Sequence, residues 1–305
     1  MEGITYPLVS IALCTYNGEK YIREQLNSLV KQDYPNLEII AVDDRSTDST
    51  VAILNEYSAV HDNLKVFIND INLGYKKNFE KAIQLCNGEY IALSDQDDIW
   101  ELDKISKLIN NIEGAVLIYH DSKFINQNGE SINKKMSNIL NMYSGKNPEA
   151  FIFFNSVSSH AVLFHKRLQE YLFDFPDSGY HDSWIAYVAA NVGDIKYYND
   201  CLVSYRQHLT SSTDILKRKS HKVNTNKYQK YQENLSFIRY CCDFSKNRHQ
   251  FVIDKLLALY SIRQEKAFNY QLFFFLLKNK EMFFPIYKKG RLSVLNFAFK
   301  QSKRI

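Results

Sequence analysis

The sequence predicts an α/β fold, a mostly parallel central sheet flanked by helices, with a basic α-helical extension at its C-terminal end. Three observations carry this. Short apolar runs alternate with helix-period segments over the first hundred residues. A polar cluster stands directly after each of those runs. Charge divides the chain: residues 1–214 hold 18 Lys/Arg and 29 Asp/Glu (net −11), and residues 215–305 hold 20 and 5 (net +15), within a total of +4. We therefore expect an α/β domain over 1–214 and a basic, aromatic-rich helical region over 215–305.

The elements follow in order. Leu8–Cys14 is an apolar run that reads as a buried strand. Glu19–Lys31 places Tyr21, Ile22, Leu26, Leu29 and Val30 at helical spacing. Leu37–Val42 is the second strand. Asp48 stands where an N-cap would before the helical run Val51–Val60. Leu64–Ile68 is the third strand, Lys76–Cys86 the third helix, ended by Asn87-Gly88, and Tyr90–Leu93 the fourth strand. Single helices between strands imply parallel pairing with right-handed crossovers. A helix is expected to begin near Trp100. Ala115–Tyr119 and Ala161–Phe164 read as strands around a turn-rich Asn126–Glu130, and Asp182–Ala190 reads as a helix. Ile195–Tyr198 and Cys201–Tyr205 read as a hairpin around Asn199-Asp200. Thr210–Asp214 is a polar linker. Helical periodicity runs from Tyr228 to about Leu277, and Pro285 and Gly290 break the remainder.

Composition excludes several classes. Twenty Phe and 21 Tyr argue against disorder, and 10 Gly with 5 Pro against a collagen-like chain. No basic start and long apolar run mark a secretory signal, and no stretch approaches the ~18 apolar residues of a membrane span. Five cysteines without a Cys-x-x-Cys argue against a zinc knuckle or disulfide framework and fit a reduced, cytoplasmic location. Only Gly18 follows the first strand, so no Gly-x-Gly-x-x-Gly or Walker loop is present.

Ligands of parallel sheets bind beyond the carboxyl ends of the strands. Those positions read Thr15-Tyr16-Asn17-Gly18, Asp43-Asp44-Arg45-Ser46, Asn69–Gly74 and Asp95-Gln96-Asp97-Asp98. Three carboxylates in four residues repel one another unless a cation or donors compensate, and hard oxygen ligands suit Mg²⁺ or Mn²⁺. The plainer reading is an acidic loop capping the next helix. Asp43 and Asp44 suit a ribose or base edge, or the turn itself. Tyr16 offers a flat face for a base and Thr15 a hydroxyl. In His181-Asp182-Ser183-Trp184, Asp182 is either a general base or a helix cap. In Tyr205-Arg206-Gln207-His208, His208 is a candidate metal ligand and Arg206 a candidate phosphate ligand.

The ordered set VSIALCTYN (9–17), EIIAVDDRSTDST (38–50), NLGYKKNF (72–79), GEYIALSDQDDIW (88–100), HDSW (181–184) and YRQH (205–208) resembles family 2 glycosyltransferases of the GT-A fold, over roughly residues 6–210. The resemblance implies roles. Thr15, Tyr16 and Asp44 would hold the nucleotide base, with Asn17 in the same loop and Asp43 supporting it. Asn72, Gly74 and Lys77 would flank the nucleotide. Asp95 and Asp97 match the Asp-x-Asp element that binds ribose and a divalent metal, with His208 as a late metal ligand. Arg206 would touch the diphosphate, and Asp182 would be the catalytic base.

The same resemblance implies an inverting, Mg²⁺- or Mn²⁺-dependent hexosyl transfer from a nucleotide-diphosphate sugar, dTDP-, UDP- or GDP-linked, to a hydroxyl of a glycan or lipid-linked glycan. The combination of motifs is similar to bacterial rhamnosyltransferases of surface polysaccharide assembly, which points to dTDP-rhamnose. The chain departs from the family in Ser158-Ser159-His160, where Gly-Cys or Gly-His is common. A sugar nucleotidyltransferase would need a Gly-rich basic loop after the first strand. An inactive binding module would lose Asp97 or Asp182, and both are present. In the basic region, Phe273–Phe275, Phe283, Phe284, Phe297 and Phe299 interleave with Lys and Arg. A solvated helical cap and a segment held on the anionic inner face of the plasma membrane are both open there. Nucleic acid is the least favoured partner.

Overall fold

Four parallel strands begin the molecule, and the computed structural model describes residues 5–208, 216 and 226–305. In chain order the elements are β1 (Val9–Thr15), α1 (Ile22–Val30), β2 (Leu37–Asp43), α2 (Thr50–Ser58), β3 (Leu64–Ile68), α3 (Tyr75–Leu85) and β4 (Tyr90–Ser94). Then come β5 (Ile99–Trp100), α4 (Lys104–Asn111), β6 (Leu117–Ile125), β7 (Ser131–Lys135), β8 (Val162–His165), α5 (His181–Val192) and β9 (Ile195–Arg206). The last are α6 (Lys227–Cys242), α7 (Gln250–Ser261), α8 (Tyr270–Lys278), α9 (Lys280–Phe283) and α10 (Arg291–Ser302). The linker expected at Thr210–Asp214 lies outside the described residues.

The strands form one sheet in the order β3-β2-β1-β4-β8-β6-β9-β5, with β7 added to β6. The first four are parallel, as single-helix crossovers require. Beyond β4 the sheet is mixed: β8 is antiparallel to both β4 and β6, whereas β9 runs parallel to β6. β1 and β4 are central and wholly flanked, which is why their residues are almost all apolar and buried.

Two expectations are corrected. Residues 195–206 are one strand and not a hairpin, because both halves pair with β6 in the same direction. His120 faces Tyr198 and Asp121 faces Cys201, so Asn199-Asp200 is looped out as a bulge. Residues 99–100 are not a helix start but the short strand β5, antiparallel to β9 through Ile99–Ser204 and Trp100–Val203, and the helix begins at Lys104. Both features fasten β9 against the loop that follows β4.

Alternation along the strands sends side chains to two cores. Ala12, Cys14, Ile40, Val42, Ile91 and Leu93 face one side, where α3 and α5 cover them. Val9, Ile11, Leu13, Ile39, Ala41 and Ala92 face the other, under α1, α2 and α4. The first core continues without a break into the C-terminal helices through Phe237, Ile238, Cys241, Leu256, Leu272 and Phe283. The basic region therefore supplies a wall of the first core.

Candidate active site

The loops after β1, β2 and β4 are laced together by side chains. Thr15 Oγ1 donates to Asp43 Oδ2 at 2.7 Å, and the same carboxylate accepts from Ser46 N and Oγ at 2.7 and 2.6 Å. Asn17 holds a left-handed conformation (φ 47°), with its N–H on Ser46 Oγ and its Oδ1 accepting from Thr47 N. The Gln96 amide grips the Tyr16 backbone from both ends, accepting its N–H at 2.8 Å and donating to its carbonyl at 3.0 Å. A Cβ at Gly18 would lie 2.3 Å from Gln96 Oε1, so a larger residue there would displace Gln96 from this clamp. These contacts fix the Tyr16 backbone and leave its side chain half-exposed.

Asp44 organises the loop after β3. Its Oδ1 accepts from Asn69 Nδ2 (2.8 Å) and Leu73 N (2.7 Å), and its Oδ2 from Gly74 N (2.8 Å). Asn72 donates to the Asp44 carbonyl at 3.1 Å, and Gly74 sits at φ 79° before α3. Asp43 and Asp44 thus both build the loops around them. Lys77, expected beside the nucleotide, pairs with Glu80 (2.7 Å) and Asp174 (3.8 Å).

The acidic loop follows β4. Asp97 Oδ2 lies 2.7 Å from His208 Nε2, although 111 residues separate them. Arg206 makes this possible. It is buried, and its guanidinium donates to the Asp97 carbonyl (2.8 Å), the Gln127 carbonyl (3.3 Å) and Glu24 Oε2 (2.6 Å), while its own N–H reaches Asp98 Oδ1 (2.9 Å). It lies over the Tyr21 ring at 4.6 Å, and Tyr21 in turn meets the His208 ring at 5.1 Å. Arg206 faces inward and fixes the end of β9 to the acidic loop, because its donors already have protein acceptors. Arg206→Met should lower stability by about 1–3 kcal/mol, the cost of leaving buried carbonyls unpaired; a denaturant melt measures it.

Behind the loop sits a second polar layer. Asp98 is buried, and His160 Nδ1 lies 3.8 Å from its Oδ2 and 4.0 Å from Asp95 Oδ2. His160 Nε2 meets Ser122 Oγ at 2.9 Å, and its ring lies on Tyr205 at 4.2 Å. Lys104 is also buried, donates to the His160 carbonyl at 2.7 Å, and stands 3.0 Å from the centre of the Trp100 ring. Burial drives each of these groups toward neutrality: Asp98 upward, Lys104 downward, and His160 down to about 3.

Asp95 lies in front of this layer with 35% of its side chain accessible. Desolvation, then Asp97 and Asp182, push its carboxyl up to about 7, and Lys104 opposes the rise. Asp182 is in the first turn of α5, half-buried. Burial raises it to about 6 against hydrogen bonds from Ser183, Asn155 and the Ser159 backbone. Neighbouring His181 is packed between Phe79 (4.4 Å) and Tyr75 (5.7 Å). Asp95 and Asp182 are thus both harder to ionise than an exposed carboxyl, and a cation beside them would offset that cost.

Tyr21, Glu24, Gln96 and Lys104 carry no site role on sequence grounds, and His160 stands there only as a departure from the family pattern. Gln96 lies within GEYIALSDQDDIW (88–100). Tyr21 and Glu24 share one face of the α1 entry at i, i+3 spacing, which was a usable signal.

Residues 10–172 match the family model described as glycosyl transferase family 2, more than half of the chain. The chain belongs to glycosyl transferase family 2. A glycosyltransferase of Haemophilus influenzae described as uncharacterized is 29% identical over 248 residues, covering 76% of this chain and 74% of that protein. The dTDP-rhamnosyl transferase RfbG of Shigella flexneri is 40% identical over 103 residues, covering 32% of this chain and 36% of that protein. Among solved structures, S. aureus TarS 1-349 in complex with UDP-GlcNAc is 20% identical with a TM-score of 0.62, covering 97% of this chain and 81% of that one. Mannosyltransferase PcManGT from Pyrobaculum calidifontis, in complex with GDP-Man and Mn2+, is 18% identical with a TM-score of 0.54, covering 97% and 74%. These likenesses show that the fold is that of the GT-A glycosyltransferases.

Proposed function

We propose that this glycosyltransferase is cation-dependent and inverting, moving a hexose from a nucleotide-diphosphate sugar to a glycan hydroxyl during bacterial surface polysaccharide synthesis. The observation that carries the reading is the Asp97–His208 pair at 2.7 Å, with Asp95 near enough to feel the charges of both Asp97 and Asp182. The donor set fits Mg²⁺ or Mn²⁺: two ligand atoms bound at about 2.1 Å to one octahedral ion lie about 3 Å apart, close to the 2.7 Å seen here. Carboxylate with imidazole suits Mn²⁺ in particular. Asp95, Asp98 and His160 form a second group whose ligand atoms lie within 4.8 Å of one another. Asp98 and His160 are almost wholly buried, whereas Asp97 and His208 keep 19% and 11% of their side chains accessible, so we assign the cation to Asp97 and His208, with Asp95 at its edge. A divalent ion held there would screen the charge of the departing diphosphate.

Tyr16 offers a face for the base, and Thr15, Asn17, Asp43, Asp44, Asn72 and Gly74 shape the loops that receive the nucleotide. Asp182, kept partly protonatable by burial, takes the acceptor's proton as its oxygen attacks. The name of the Shigella relative supports dTDP-rhamnose as donor, and those of the structural neighbours support UDP- and GDP-linked sugars. An acceptor carried on a lipid would bring the basic C-terminal region against the cytoplasmic membrane face. Among the described residues no helix is long and apolar enough to cross a membrane. A thermal-shift screen of dTDP-, UDP- and GDP-sugars tests the reading. At least one should protect the protein with Mn²⁺ present and lose that protection with EDTA; protection by none would reject it.

A further inference from the structure

The outward side of the C-terminal helices carries apolar residues where a helix covering a soluble protein carries polar ones. On α10, Leu292, Leu295 and Phe299 share one face at i, i+3 and i+7 and are exposed, Leu292 to 82%. On α8, Tyr270 and Phe274 share a face at i, i+4 and are exposed to 68% and 63%. The start of α8 lies beside the end of α10: Phe268 and Lys303 form an antiparallel bridge, and Asn269 N donates to the Ser302 carbonyl at 2.8 Å. Phe268 joins the two stripes. Its ring is 4.8 Å from Tyr270, 5.1 Å from Phe299 and 5.7 Å from Phe273, which is 5.3 Å from Phe274. The core takes different residues from the same helices, namely Leu272, Leu276 and Ala298. Phe283 and Phe284, which sequence alone grouped with the exposed rings, are buried and do not belong to this face.

Cations accompany the apolar surface. Residues 266–305 contain nine Lys/Arg and a single acid, Glu281. Lys278 closes α8, and Lys300, Lys303 and Arg304 stand at the end of α10, all exposed. Among the described residues the one ion pair within this stretch is Lys280–Glu281, far along the chain from the α10 cations. Exposed apolar rings bordered by unneutralised cations match an anionic lipid surface, with rings entering the head-group boundary and cations meeting phosphates. A second copy of the chain would instead set two strongly positive faces together.

We propose that the α8–α10 face docks the enzyme on an anionic membrane. The inference rests on the membrane part of the proposed function and is independent of the cation site. Because the region completes the first core, removing residues 215–305 would expose that core, so exposed substitutions in the intact chain are the proper test. Vesicles of phosphatidylcholine with 30% phosphatidylglycerol, against pure phosphatidylcholine, give the flotation assay. The wild type should float with the anionic vesicles only. The variant F274S/L292S/F299S and the variant K300E/K303E should each lose at least about tenfold in partitioning, the second through the contribution of each cation near the surface. Both variants should keep the wild-type melting temperature and donor hydrolysis in solution, so failure to float and failure of glycosyl transfer are read separately. Equal flotation of wild type and variants, or none by the wild type, overturns the proposal. So does a wild-type dimer that F274S/L292S/F299S converts to a monomer without any vesicle binding, since the face would then be a protein interface.

Discussion

Asp182→Asn lowers turnover by roughly 10²–10⁴-fold, the usual contribution of a general base, while nucleotide-sugar affinity stays near that of the wild type. The substitution keeps the shape of the side chain and removes its basicity. Asp182 carries a pKa raised to about 6, chiefly by burial, so its basic form is lost as pH falls through that value. The wild-type kcat/KM should therefore decline below about pH 6 with unit slope. The sign of the stability effect is opposite to that of the activity effect. A carboxyl whose folded pKa lies above its unfolded value costs stability once pH exceeds the unfolded pKa, and the full cost is present above about 6. At neutral pH the Asn variant should melt at the wild-type temperature or slightly higher. A variant that melts much lower would show Asp182 to be a helix cap whose loss disorders α5.

Asp97→Ala produces the second large effect. It should weaken cation-dependent donor binding by at least about 10–100-fold, since even groups behind a metal ligand cost that much when removed. The loop itself should persist, because Arg206 holds Asp97 through its carbonyl and not its side chain. Calorimetry with the nucleotide sugar, with and without Mn²⁺, separates the two contributions: the variant should resemble the wild type in EDTA. His208→Ala should move in the same direction, as the partner of Asp97 across 2.7 Å. Equal Mn²⁺ responses in wild type and both variants would place the cation elsewhere, with Asp95, Asp98 and His160 as the next candidates.

β1 and β4 were legible in sequence because central strands buried on both faces read as apolar runs, and the edge strand β3 because polar turn residues bound a short β-branched and aromatic run. Leu64–Ile68 has the bounds expected of it, and the first, second and fourth strands differ by a residue or so at their ends. The second half of the sheet was less legible. β9 resembles a hairpin because Asn199-Asp200 carries turn chemistry, and only its partner β6 shows that the chain continues in one direction. β5 is too short for any period to appear. At the site, the acidic loop was visible as a local cluster, whereas its support was not. His160 reaches Asp98 and Asp95 only because β8 lies between β4 and β6, and Arg206 reaches Asp97 only because β5 pins β9 to the acidic loop. Arg206 illustrates the general difficulty. An arginine beside a polar motif suggests phosphate, but its direction is set by Glu24 on α1, 182 residues away in the chain, and by Tyr21 just before that helix.

The central claim is cation-dependent, inverting transfer at the ends of β1, β2 and β4. Time-resolved proton NMR of a turned-over nucleotide sugar tests it most directly, with water serving as acceptor if no glycan is supplied. The account predicts that the first sugar released has the anomeric configuration opposite to that of the donor, and that its release stops when EDTA removes the divalent ion. A product of retained configuration, or release at the same rate in EDTA, would contradict it.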